Sequence, residues 1–181
     1  MKTESEETFE SFLTQNKLLF KKIPTGDSPR PDYCVDIGDL KIVFEVKQFE
    51  KDENYKVFND PNSPIIAVHT RKLSDVGKRI RASIKDSKRQ IQYGASEGMP
   101  SILIIYNVFD SNFQTFATED SDFMEATRRE FKTHNSSFSA LGRLTRLNEE
   151  LEVTLFDNES AKVRVPYNRM PPCFLKYSDP S

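Results

Sequence analysis

The sequence predicts a single α/β domain built on a central mixed sheet with helices on both sides. Three observations predict it. Apolar residues recur at helical spacing near the N-terminus and again over 75–93. Alternating segments flank a Gly38-Asp39 pair, the composition of a tight hairpin turn. Ser101–Val108 is a continuous apolar run, the pattern of a strand covered on both faces, as in a parallel sheet. At 181 residues the chain is long enough for one domain with its own core.

Taken in order, Glu4–Gln15 reads as a short amphipathic helix, with Phe9, Phe12 and Leu13 on one face. Lys17–Ile23 follows as a strand and stops at Pro24. Residues 24–31 hold three prolines and a glycine, a strong break. Residues 32–48 read as a β-hairpin whose second arm runs over Leu40–Phe49. There Ile42, Phe44 and Val46 share one face while Val43, Glu45 and Lys47 share the other.

Residues 50–64 are polar and read as a loop, and Ile65–His69 as a short strand. Ser74 is placed as the cap of a helix over Asp75–Tyr93. A further helix is expected over Ser121–Lys132. Glu152–Phe156 and Ala161–Val165 flank an Asp-Asn-Glu-Ser turn and read as a late hairpin. The Pro-rich tail, 166–181, receives no assignment. The expected unit is thus 1–181, a core over 1–110 with a C-terminal α+β extension, 111–181, packed on it.

Charge narrows the function classes. The 26 Lys and Arg nearly cancel the 28 Asp and Glu, for a net charge of -2, which excludes a protein that coats nucleic acid by bulk charge. The distribution is uneven: 71–93 carries eight cations against two acids, +6, leaving -8 on the remainder. On a helical wheel Val76, Ile80, Ile84, Ser87 and Ile91 form its core face. Lys78, Arg81 and Lys85 point away from that face, and Arg79 and Gln90 lie on its flank. Such a strip suits phosphate-backbone contacts, while a solvated helix face explains the same charges.

Two cysteines, Cys34 and Cys173, make neither a disulfide framework nor a zinc knuckle, and His69 and His134 are isolated. Phosphate-binding Gly-rich loops and Gly-x-Ser-x-Gly elbows are absent. The N-terminal residues lack the basic start and apolar run of a signal peptide, and no apolar run is long enough for a bilayer. A cytoplasmic protein with no membrane association is the expectation.

The residues that point to chemistry are Pro31-Asp32 and, across the hairpin, Glu45-Val46-Lys47. Twelve residues, 33–44, separate the two acids. Paired carboxylates on neighbouring strands make a hard-oxygen site suited to Mg²⁺ or Mn²⁺. Lys47 shares the face of Glu45, where an ammonium can orient or deprotonate a water or stabilise charge on a phosphate. A salt-bridged exposed hairpin is the plain alternative.

This pattern resembles the PD-(D/E)xK nuclease superfamily, on Pro31-Asp32, Glu45-Val46-Lys47 and the order of elements over about 4–108. The resemblance implies a restriction-endonuclease-like core of order αβββαβ and Mg²⁺-dependent hydrolysis of phosphodiester bonds, in DNA ahead of RNA. Asp32 and Glu45 would hold Mg²⁺ or Mn²⁺, with Lys47 acting on water or the transition state. Members of the superfamily add a glutamate from the first helix. Glu6 projects closest to the buried stripe and Glu10 is the reserve; an acidic first turn serving the helix dipole accounts for both equally. RecB-like branches carry Gln-x-x-x-Tyr on the second helix. Here Gln90 matches, but Tyr93 comes one residue early.

Arg79, Lys78, Arg81 and Lys85 are the expected contacts to DNA. Cutting both strands would call for two sites, hence a homodimer. The alternative is a nuclease-like module that no longer cuts and serves in binding or assembly.

Overall fold

A computed structural model describes residues 2–24, 26, 28–49, 73–107, 136–147 and 150–177. The expected strand at 65–69, the helix at 121–132, His69 and His134 lie outside the described residues, as do the side chains of 73–79.

Three helices, α1 (Glu4–Gln15), α2 (Leu73–Asp86) and α3 (Lys88–Ser96), accompany seven strands. The strands are β1 (Leu19–Lys22), β2 (Tyr33–Ile37), β3 (Leu40–Phe49), β4 (Ser101–Asn107), β5 (Ala140–Leu147), β6 (Glu150–Asp157) and β7 (Phe174–Lys176). They form one mixed sheet in the order β1-β2-β3-β4-β5-β6-β7. β1, β2 and β3 are antiparallel, β3, β4 and β5 are parallel, β6 runs antiparallel to β5, and β7 runs parallel to β6. The expected α/β class and mixed sheet are thus observed.

Each element follows from a local cause. Thr3-Glu4-Ser5-Glu6 is a capping box: the Thr3 hydroxyl accepts from the Glu6 N–H while Glu6 Oε2 accepts from the Thr3 N–H. Phe9, Phe12 and Leu13 of α1 are fully buried against Tyr33, Val35, Ile42 and Phe44. Gly38, at φ +64°, takes the left-handed value a two-residue hairpin needs, and Ile37 pairs with Leu40 across it. β4, the continuous apolar run, is buried through Tyr106 and lies between parallel neighbours.

The sheet divides two apolar clusters. Alternate β3 residues Ile42, Phe44 and Val46 join the α1 side. Leu103, Ile105, Leu141 and Phe156 join Ile80, Ile84 and Ile91 on the other. Ile80, Ile84, Ser87 and Ile91 are fully buried, as the wheel predicts for the core face.

Three readings of the sequence need correction. The helix expected over 75–93 breaks at Ser87 into α2 and α3 and begins at Leu73, so Ser74 lies inside it. The partner of β6 is β5, not Ala161–Val165. The latter alternates in polarity but forms no strand; its Val163 carbonyl instead accepts from the Ser139 hydroxyl. The unassigned tail contributes β7, whose Phe174 packs on Phe12 and Phe44. Among the described residues no helix is long and apolar enough to cross a membrane.

α3 descends against β3 and β4 so closely that only a glycine fits at 94. A Cβ there would lie 2.2 Å from Val43 Cγ2 and 2.3 Å from Ser101 Oγ. Val43 is branched on a strand and has little freedom to move. Gly94→Ala is therefore expected to destabilise the fold by about 1–3 kcal/mol, measured by urea unfolding, despite alanine's better helix propensity. An unchanged midpoint would contradict this close contact.

Candidate functional site

The site grows from a ladder that stops. Tyr33 pairs with Phe44, so one residue further Asp32 stands opposite Glu45. Pro31 has no N–H to offer, and the β2–β3 pairing ends there. The β3 N–H that would need a strand carbonyl next, that of Val46, donates instead to Asp32 Oδ2 at 2.8 Å. Backbone geometry thereby pins the Asp32 carboxylate beside β3.

Glu45 projects on the face toward α2 and α3 and is only 2% exposed. Lys47, two residues on and on the same face, reaches back to place Nζ 2.8 Å from Glu45 Oε1. The other oxygen, Oε2, is buried and receives no hydrogen bond. Its acidic neighbour is Asp32, close enough for the two carboxyls to interact directly. Burial, then the negative charge of Asp32, push Glu45 up to about 7 against the opposing pull of Lys47. Asp32 is raised as well, by burial above all, with the Val46 N–H and the Lys47 charge working against it.

Two carboxylates held side by side, one oxygen without a donor, leave negative charge that a proton or a cation must meet. A divalent ion fits this donor set. Mg²⁺ and Mn²⁺ prefer oxygen ligands, and Mg²⁺ keeps several waters, so one or two protein carboxylates suffice. No group of three or more His, Cys, Asp or Glu side chains converges into a metal site among the described residues.

Gln90 lies on α3, one helical turn before Gly94. α3 runs opposite to β4, and Gly94 presses on Val43. One helical turn back, about 6 Å, corresponds to about two residues along β3, which sets Gln90 level with Glu45. Its Oε1 is buried without a hydrogen-bond partner.

The first-helix glutamates are otherwise engaged. Glu6 Oε1 lies 2.6 Å from Lys22 Nζ, and Oε2 accepts from the Thr3 N–H. Burial would raise its pKa, but these partners outweigh that and hold it below the usual value. Its charge still reaches Asp32, because the Ser5 N–H donates to Gln48 and ties the start of α1 to the end of β3. Glu10 accepts from the Tyr33 hydroxyl and pairs with Lys2. Asp36 pairs with Lys41 in the register, four positions along β3 from Glu45.

On the basic strip, Lys85 is exposed and Arg81 half-buried; the side chains of Lys78 and Arg79 lie outside the described residues. Tyr93 packs under Arg30, whose guanidinium carbon is 5.6 Å from the ring centroid. Both cysteines are free and half-buried, their thiols pushed up by burial.

Sequence reasoning missed two features. Lys22 had no readable signal, because β1 pairing is what brings it to Glu6. The Thr-x-x-Glu spacing of the capping box was readable and assigns Glu6 a structural duty. No family model matches this chain, and no curated protein or solved structure matches it.

Proposed function

We propose that this protein is a divalent-metal-dependent nuclease hydrolysing phosphodiester bonds in DNA, with Asp32, Glu45 and Lys47 at its centre. The observation that carries the reading is Glu45 Oε2: a buried carboxylate oxygen without a donor, beside a second carboxylate, with an ammonium 2.8 Å from its other oxygen. A purely structural salt bridge does not need the second acid, which makes the buried charge harder to keep.

Asp32 and Glu45 would hold Mg²⁺ or Mn²⁺. When bound, such an ion supplies charge to a phosphate oxygen and acidifies water. Lys47 donates to a phosphate oxygen or to the attacking water and stabilises the charge that develops in the transition state. Gln90 Oε1, an acceptor lacking a donor, orients a water over the carboxylates. Glu6 contributes through its field on Asp32 while capping α1, and would join the metal only by leaving Lys22 and Thr3. Lys78, Arg79, Arg81 and Lys85 on α2 are the proposed DNA contacts.

Supercoiled plasmid with Mg²⁺ at pH 8 is expected to convert to open circles, and EDTA to stop it. Because metal must compete with the proton on Glu45, the rate is expected to fall as pH drops below about 7. Intact plasmid at every pH, with Mg²⁺ or Mn²⁺, would contradict the reading. A second reading, a nuclease-like binding or assembly module, draws on Glu6, whose double engagement leaves two acids at the centre. It predicts DNA retention without strand cleavage.

A further inference from the structure

We infer that Arg30 binds a DNA phosphate beside the one under attack, an inference that rests on the nuclease reading above. Two independent routes bring Arg30 to the site. Along the chain it precedes Asp32 by two residues, at most about 7 Å between Cα atoms. Across space its guanidinium carbon lies 5.6 Å from the centroid of the Tyr93 ring on α3. Tyr93 follows Gln90 by three residues, so the two are neighbours along the helix, and Gln90 is level with Glu45.

Three features suit Arg30 to this task. Its backbone is stiff: Pro29 has a fixed φ, and Pro31 confines the residue before it to extended conformations. Its side chain is exposed yet seated, because the face of the Tyr93 ring attracts the cation. Its charge is not neutralised. Lys22 reaches Glu6 and Lys47 reaches Glu45, whereas no carboxylate among the described residues pairs with Arg30. A ring supplies no oxygen acceptor, so the fork of N–H donors still lacks the partner it fits best, an anion with two oxygens side by side. A phosphate is such an anion, and a guanidinium already held in place loses little freedom on gripping it. The proline-rich break between β1 and β2 thus also presents a cation beside Asp32. Arg30 is a substrate-binding residue that leaves the chemical step to Lys47.

The test is steady-state cleavage of a fluorescein-labelled DNA duplex with Mg²⁺ over a range of NaCl concentrations, alongside urea unfolding. Arg30→Gln is expected to raise KM about tenfold with kcat within about twofold. The slope of log(1/KM) against log[NaCl] should become shallower by about 0.9, the signature of one lost phosphate contact. Arg30→Lys keeps the charge and should keep the slope, while KM rises about threefold through loss of the paired donors. Arg30 is exposed, so both variants should unfold near the wild-type urea midpoint. An unchanged KM and slope in Arg30→Gln, or a loss confined to kcat, would overturn the inference. The same unchanged KM and slope with a lowered midpoint would make Arg30 an anchor of its loop on α3 instead. If Arg30→Gln does not fold, an unchanged KM in Arg30→Lys would overturn it. A wild-type chain that never cleaves the duplex sinks the nuclease reading and this inference together, whereas wild-type cleavage with an indifferent Arg30 sinks this inference alone.

Discussion

Lys47→Ala is expected to lower Mg²⁺-dependent plasmid nicking by about 10³-fold while leaving the protein folded. Two consequences follow from removing this side chain. In the proposed reaction the phosphate would lose the ammonium that stabilises its developing charge, and Glu45 Oε1 loses its partner at 2.8 Å. The structural effect is limited because Lys47 is one-third exposed, at 33%, so water enters where the ammonium leaves. A destabilisation of about 1–3 kcal/mol is expected for the orphaned acceptor. Activity and stability should therefore separate: circular dichroism shows a folded protein, and the gel shows intact plasmid. Nicking at the wild-type rate would remove Lys47 from the chemistry.

Glu45→Gln should abolish nicking and, in the metal-free protein above pH 7, stabilise the fold. The sign follows from linkage. Glu45 is raised from 4.5 to about 7 on folding, chiefly by burial and then by Asp32. Below pH 4.5 it is protonated in both states and carries no penalty. As pH rises toward 7 the unfolded chain ionises while the folded one does not, and stability is lost; above 7 the loss levels off. Its size is on the order of 3 kcal/mol. Urea unfolding of wild type should weaken by that order between pH 4.5 and 8 relative to Glu45→Gln. Millimolar Mg²⁺ should restore the wild type alone, because binding to the folded state offsets the buried charge. Parallel pH profiles in the two proteins would show that Glu45 is not held in a strained ionisation state.

Much of the carboxylate pair was legible because a hairpin states its own register. The Gly38-Asp39 turn and the alternation over Leu40–Phe49 are enough to set Glu45 and Lys47 on one face and Asp32 opposite Glu45. What Asp32 does to the ladder was not legible, since the Val46 N–H reaches it only in three dimensions.

Of the C-terminal strands, β6 was legible at Glu152–Phe156, whereas β5 was hidden for a different reason. β5 carries Gly142, where a Cβ would meet Ile104 Cδ1 at 2.4 Å and Leu155 Cδ2 at 3.2 Å. A glycine in mid-strand, followed by Arg143 and Arg146, breaks the alternation that marks a strand, although tight packing is the reason it is there. Ala161–Val165 shows the converse, an alternating segment with no partner strand.

Titration calorimetry with MnCl₂ at pH 8 tests most directly whether the Asp32–Glu45 pair holds a divalent cation, without any assumption about the nucleic acid. Wild type should take up Mn²⁺ with a saturable heat, and Glu45→Gln and Asp32→Asn, both verified as folded, should show none. No saturable heat in the wild type, or the same heat in all three proteins, would contradict it.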